Sequence, residues 1–85
     1  MKSFYHIIQD VCGIHARPAI QLVKAARQFK SKIGIMEGEE LADLGDVLQL
    51  MGLQIAKGDE IKVIIDGEDE EEACLFMQNF FRENI

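Results

Sequence analysis

The sequence predicts an α+β fold, a two-layer sandwich with one β-sheet and helices on one face. Three observations support this prediction. Short segments rich in β-branched and aromatic residues are typical of strands, and other segments repeat their apolar residues with helical spacing. A turn signal at residues 37–38 joins two neighbouring strand segments, and a hairpin excludes a purely parallel sheet.

The first predicted elements are a strand and a helix. Residues 2–8 are rich in aromatic and β-branched side chains, which favour extended structure, and Gly13 breaks this strand. A helical pattern starts at Pro18. Proline fits the first helical position because an N–H group there would have no intrahelical partner, so its absence costs nothing. The apolar face of this helix consists of Ala19, Leu22, Val23, Ala26 and Phe29.

The central elements are predicted to be a hairpin and a short helix. Residues 32–36 place Ile33 and Ile35 on one face of a strand, and residues 39–42 form the returning strand. Asp46 is a suitable N-cap for one to two turns of helix over the apolar stretch that follows and that Gly52 ends.

The last elements are predicted to be a strand over residues 61–65, ended by Gly67, and a helix. Asp69 and Glu72 have the spacing of a capping box, in which the two side chains satisfy N–H groups at the helix start. The apolar face of this helix consists of Ala73, Phe76, Met77, Phe80 and Phe81. The predicted order is β-α-β-β-α-β-α, and residues 1–85 are expected to form a single domain.

Composition excludes several classes of function. The net charge of −6 argues against a nucleic-acid-binding protein, which needs a basic surface. The apolar runs are too short to span a bilayer, and residues 1–10 lack the pattern of a signal peptide, so a cytoplasmic location is expected. Cys12 and Cys74 have no metal-binding spacing and are interpreted as free thiols, so no metal is expected. Positive charge is concentrated after residue 16, in Arg17, Lys24, Arg27, Lys30 and Lys32, whereas residues 66–72 are almost entirely acidic.

The most informative motif is Gly-Ile-His-Ala-Arg-Pro at residues 13–18. A histidine with a pKa of about 6.5 is partly unprotonated near neutral pH, as a phosphoryl acceptor must be. A helix start offers unpaired backbone N–H groups, here those of Ala16 and Arg17, to an anion. The Arg17 guanidinium adds donors suited to phosphate oxygens. His15 is therefore predicted to accept a phosphoryl group, whereas His6, inside a strand, is expected to have no such function.

These residues resemble the active-site signature of the HPr family, the histidine phosphocarriers of the bacterial sugar phosphotransferase system. The likeness extends over the whole chain, including the Lys-Gly-Asp-Glu-Ile turn and strand at residues 57–61. The resemblance implies an open-faced sandwich of four antiparallel strands and three helices. It also implies that His15 takes a phosphoryl group from enzyme I and gives it to an enzyme II A component, with Arg17 stabilising the phosphate. Such a protein is a carrier rather than an enzyme, without a cofactor, and is expected to be a monomer.

Further residues take their expected roles from the same resemblance. Lys24 and Arg27 match basic positions that help to dock partners, and the apolar residues Val47, Leu48 and Met51 are candidates for the same docking surface. Firmicute-type members carry a regulatory serine where this sequence has Asp46. Asp46 is therefore either a helix cap or a permanent imitation of phosphoserine. The second interpretation leads to an alternative function, that of a regulatory protein that binds a transcription factor or a metabolic enzyme.

Overall fold

The structure is a computed structural model that describes residues 1–11, 13–14 and 16–85, without the side chains of residues 16 and 17. Its elements are β1 (Lys2–Ile7), α1 (Ala16–Ala26), β2 (Lys32–Glu37), β3 (Glu40–Asp43), α2 (Val47–Gly52), β4 (Glu60–Asp66) and α3 (Glu70–Asn84). The strands form one antiparallel sheet in the order β1-β4-β2-β3. The predicted order of elements along the chain, β-α-β-β-α-β-α, and the predicted α+β class are confirmed.

The two faces of the sheet have different environments. On β4, Ile61, Val63 and Ile65 are buried, whereas Lys62 and Ile64, on the opposite face, are half-buried. The buried residues form one cluster with apolar side chains from all three helices. The alternation along the strands therefore gives the sheet one face toward the core and one open face.

The first helix begins two residues earlier than predicted, because Pro18 is its third residue rather than its first. Proline is tolerated here because the N–H groups of the first helical turn have no intrahelical partner. The helix also ends earlier, at Ala26, and Phe29 lies beyond it in the connection to β2. Phe29 is half-buried and contacts Phe76 on α3, with ring centroids 5.4 Å apart.

The predicted capping box at the start of α3 is wrong. Asp69 occupies the N-cap position, but its side chain makes no cap hydrogen bond. Its carboxylate instead accepts hydrogen bonds from the backbone N–H groups of Lys30 and Ser31, both at 2.8 Å, and from the Ser31 hydroxyl. Asp69 thus joins α3 to the connection between α1 and β2, and this long-range use of the carboxylate replaces the local one.

The apolar face of α3 is confirmed only in part. Ala73, Met77 and Phe81 are fully buried, as the predicted face requires. Phe76 remains 38% exposed and Phe80 is half-buried. Residues at a spacing of four therefore define the buried stripe of α3, and the neighbouring aromatic rings lie at its edge.

Candidate functional site

The centre of the predicted site, His15, and the nearby Cys12 lie outside the described residues, as do the side chains of Ala16 and Arg17. The chain on either side of residue 15 is described. The geometry of the site therefore rests on Gly13 and Ile14 before it, and on the backbone and later side chains of α1 after it.

Gly13 and Ile14 are held against the segment that follows α2. The N–H of Ile14 donates to the carbonyl of Ile55 at 3.2 Å, and the Ile14 side chain is buried. Gly13 has a φ of +64°, and a Cβ atom at this position would lie 2.2 Å from the Ile55 oxygen. Its N–H donates to the carbonyl of Asp10 at 2.9 Å, which closes the preceding turn. Only glycine fits this close backbone contact.

The start of α1 has the properties that an anion site needs. The helix begins at Ala16, so the backbone N–H groups of Ala16 and Arg17 belong to its first turn. This turn contains no acidic residue that would repel an anion. Pro18 and Ala19 are buried, which holds the helix start against the core. The helix dipole adds about half a positive charge at this end.

The predicted docking residues lie on or directly beside two helices that contact each other, α1 and α2. Ile20 and Lys24 on α1, and Arg27 directly after its last residue, follow at helical spacing, and all three are exposed. The Arg27 guanidinium reaches toward α2, where it donates to the carbonyl of Gly45 at 3.1 Å. We give the name α1–α2 surface to five exposed residues on or directly beside these two helices, Ile20, Lys24, Arg27, Leu48 and Met51.

The structure shows which apolar residues of α2 face the core. Leu50 is fully buried, and Val47 is half-buried and packs against the core. Leu48 is 80% exposed and Met51 is 39% exposed. Exposed apolar side chains of this size often mark a surface that contacts partners. The described surroundings of Leu48 and Met51 thus suit docking better than those of Val47.

Asp46 is an N-cap, as predicted. Its backbone is extended, and its Oδ1 atom accepts from the N–H of Leu48 at 2.9 Å and from the N–H of Gln49 at 3.3 Å. The Gln49 amide also donates to Oδ2 at 3.4 Å. These bonds satisfy two of the N–H groups that lack an intrahelical partner at the start of α2.

His6 is half-buried and packs against a core aromatic ring, an environment that does not suit a phosphoryl acceptor. Its ring lies 5.3 Å from that of Phe81, and its Nε2 atom is buried without a hydrogen-bond partner among the described residues. Burial lowers the pKa of the imidazole below the usual 6.5, although a hydrogen bond with the Ile85 carbonyl opposes this. A buried nitrogen is not accessible to a phosphoryl donor.

Sequence reasoning missed the contribution of the segment after α2. Ile55 supplies the carbonyl that binds Ile14, and Asp59 stabilises the adjoining turn because its Oδ2 atom accepts from the N–H of Ala56 at 2.9 Å. This hydrogen bond lowers the pKa of Asp59 below its usual value. The glycine at position 13 was the one available signal, but a sequence does not show which backbone approaches it.

Other kinds of site find no support in the described part of the chain. There, no group of three or more histidine, cysteine or carboxylate side chains is placed to hold a metal ion. Within the same residues, every helix is too short or too polar to cross a membrane.

Comparisons with known proteins agree on one family. A family model described as the PTS HPr component phosphorylation site matches residues 2–83. The chain is 41% identical to phosphocarrier protein HPr of Lysinibacillus sphaericus over 73 residues, which are 86% of this chain and 83% of the relative. It is 38% identical to HPr of Mycoplasma genitalium over 86 residues, covering 99% and 97% of the two chains. The crystal structure of an HPr from Thermoanaerobacter tengcongensis is similar, with a TM-score of 0.91, 29% identity and coverage of 96% and 92%.

Proposed function

Because the chain belongs to the HPr family of phosphocarriers of the phosphotransferase system, we propose that it accepts a phosphoryl group on His15 from enzyme I. It then donates this group to a sugar-specific enzyme II A component. The observation that carries the proposal is the contact of Gly13 and Ile14 with the Ile55 carbonyl, directly before residue 15. This contact and the start of α1 fix the chain on both sides of the acceptor.

The proposed chemistry uses the histidine as a nucleophile. A neutral ring nitrogen of His15 supplies the electron pair for a new P–N bond, while the bond between phosphorus and the donor breaks and the donor keeps its electron pair. The phosphoryl group brings about −1.5 to −2 charges to residue 15. The N–H groups at the start of α1 and the Arg17 guanidinium would stabilise this charge. In the second transfer the imidazole is the leaving group, so the protein is regenerated unchanged and acts as a carrier, not as an enzyme.

The α1–α2 surface supplies a means of binding both partners. Lys24 and Arg27 place positive charge on a protein whose net charge is −6, and Leu48 and Met51 add exposed apolar area beside it. A mixed surface of this kind lets charge guide the encounter while apolar contacts hold the complex. Both partner enzymes would use it in turn, and a cytoplasmic location fits this pathway.

The test is phosphorylation with purified enzyme I and labelled phosphoenolpyruvate. The labelled product should be acid-labile and stable in base, as expected of a phosphohistidine. His15→Ala should remove the label, whereas His6→Ala is the matched control and should retain it. Label on the His15→Ala protein equal to that on the wild type would contradict the assignment.

A second candidate function is regulatory, and Asp46 is the observation that favours it. Its carboxylate stands at the start of α2, next to the exposed Leu48, where phosphoserine would stand in some relatives. In this case the chain would bind a transcriptional or metabolic regulator in a permanently signalling form. Asp46→Asn keeps a cap but removes the charge. The regulatory function requires faster phosphorylation of His15 and weaker regulator binding in this variant, and the cap alone requires neither.

A further inference from the structure

The open face of the sheet carries several exposed apolar side chains around Lys62. Tyr5 and Leu41 are 65% and 63% exposed, and Ile7 is 50% exposed. Ile64 and Met36 lie between them on the same face and are half-buried. Ile64 is the diagonal neighbour of both Tyr5 and Met36 in the strand register, so these apolar side chains form a group. Such a group on a small acidic protein is a candidate contact surface, because single exposed apolar residues are ordinary but grouped ones are not.

The strand register arranges this face into rows that cross the sheet. One row contains Tyr5, Lys62, Met36 and Leu41, in the strand order β1-β4-β2-β3. The next row contains Ser3, Ile64, Gly34 and Asp43. Beyond it, Asp66 on β4 is paired with Lys32 on β2. Each row therefore presents its apolar, polar and charged side chains in a fixed order from one edge of the sheet to the other.

A hollow lies in this face at Gly34. Glycine has no side chain to fill the space, which has a volume of about 300 Å³. Its lining includes Lys32, Leu41, Asp43, Gln49, Ile64 and Asp66. The hollow is open to solvent rather than enclosed, and Leu41 Cδ1 would lie 3.2 Å from a Cβ at position 34. Directly across the strand pair stands Ile64, a branched apolar side chain. The face thus has a projection and a hollow side by side.

We propose that this open face binds the same face of a second copy of the chain, around a two-fold axis that runs parallel to the strands between β4 and β2. This symmetry places β4 of one copy over β2 of the other, and β1 over β3. Ile64 then enters the hollow at Gly34 of the second copy, and Tyr5 lies against Leu41. Each contact occurs twice, as in any isologous interface.

The charges on the face fit this axis. Asp66 of one copy lies opposite Lys32 of the other, so two pairs of opposite charge form at the same end of the strands. Lys62, whose ammonium is already 5.7 Å from the centroid of the Tyr5 ring, lies opposite Met36. Asp43 lies opposite Ser3. None of these pairs brings like charges together, which is the electrostatic complementarity that a self-association surface needs.

The size of the face predicts a weak dimer. Four strands about 4.8 Å apart and some 15 Å of strand length give about 300 Å² per copy, well below the area of a stable interface. We therefore expect a transient dimer with a Kd on the order of 0.1–1 mM. The inference goes beyond the proposed carrier function and does not depend on it. The sequence predicts a monomer, whereas this inference predicts dimers at high protein concentration.

The test uses two charge reversals and sedimentation equilibrium of the full chain at protein concentrations up to about 1 mM, that is, up to the weak end of the expected Kd. Lys32→Glu places Glu opposite Asp66, and Asp66→Lys places Lys opposite Lys32, so each variant alone should be monomeric. In a mixture of the two variants, a heterodimer has opposite charges at both of these contacts between the copies. The mixture should therefore dimerise as well as the wild type. Thermal unfolding of each variant checks that the fold persists, since the two residues are also neighbours within one chain.

Dimerisation of the wild type and of the mixture, with each single variant monomeric, supports the proposal. A wild type that stays monomeric at 1 mM overturns it and leaves the face free for a different partner. Dimerisation of either single variant as strong as that of the wild type overturns the proposed axis, and so does a monomeric mixture. Phosphorylation by enzyme I at micromolar concentration should be equal in all four samples, which separates this test from that of the carrier function.

Discussion

The N–H of Ile14 donates to the carbonyl of Ile55 at 3.2 Å, and Gly13 lies so close to the same carbonyl that no side chain fits between them. The segment after α2 thereby fixes the chain just before His15. The backbone before the proposed acceptor thus depends on a residue about 40 positions away in the sequence.

The first prediction concerns Gly13→Ala. The added Cβ would overlap the Ile55 oxygen, and a φ of +64° is unfavourable for alanine. The free energy of unfolding should fall by about 2–4 kcal/mol, and the chain before His15 should shift. Chemical denaturation and the rate of phosphorylation by enzyme I measure the two effects. Gly38→Ala is the control, because its φ is also positive but its Cβ would meet open space. Equal losses in the two variants would show that backbone strain, rather than contact with Ile55, is responsible.

The second prediction concerns Asp69→Asn and acid stability. Hydrogen bonds from Ser31 and from the Lys30 N–H lower the pKa of Asp69 below 3.8. A lowered pKa in the folded state means that the stabilisation is present above about pH 4 and is lost as the pH falls through the folded pKa. Asp69→Asn should therefore lower Tm at pH 7 and make Tm less dependent on pH below 4.

Glu72→Gln is the matched control for Asp69→Asn. It removes a carboxylate from the same helix start, where Glu72 is exposed. If the two residues formed a capping box, Glu72→Gln and Asp69→Asn would lower Tm by similar amounts. The contacts of Asp69 with Ser31 instead predict that Glu72→Gln leaves Tm almost unchanged. A thermal melt of both variants at pH 7 and pH 3 distinguishes these possibilities.

The order of elements was predictable because each follows from local pattern. The alternation of Ile61, Val63 and Ile65 and the cap at Asp46 need only neighbouring residues to be recognised. The use of Asp69 was not predictable, because its partners at Lys30 and Ser31 are 39 and 38 positions away. The motif around His15 led to the proposed chemistry from residue types alone, but it did not indicate that Ile55 holds the preceding segment.

The end of α2 shows a second limit of local patterns. Gly52 was expected to stop the helix, but it is the last helical residue, and the left-handed conformation falls on Gln54 with a φ of 54°. Glycine is the usual residue in the left-handed conformation after a helix, so Gly52 suggested a helix end two residues too early. The N–H of Gln54 donates to the carbonyl of Met51 at 3.2 Å, and Ile55, whose carbonyl binds Ile14, follows directly.

The third prediction is that Gln54→Gly stabilises the protein. A left-handed conformation costs a non-glycine residue about 1–2 kcal/mol, and glycine loses about 0.5–1 kcal/mol more backbone entropy on folding. The net gain should be about 0.5–1 kcal/mol, which corresponds to a rise in Tm of several degrees for a domain of this size. Gln54→Ala is the control, because it shortens the side chain but keeps the strain. Equal Tm values for the two variants would assign the effect to the side chain of Gln54 instead.

The last prediction concerns Leu48, which is 80% exposed on the α1–α2 surface. Because the side chain contributes little to the core, Leu48→Ala should leave Tm unchanged within about a degree. If Leu48 contacts enzyme I, its truncation should raise Kd about 5- to 30-fold, the loss of 1–2 kcal/mol typical of an apolar contact residue. Leu75→Ala is the matched control, since Leu75 is 63% exposed on α3. Calorimetric titration of enzyme I with both variants measures the difference, and an equal Kd for wild type and Leu48→Ala would place the docking surface elsewhere.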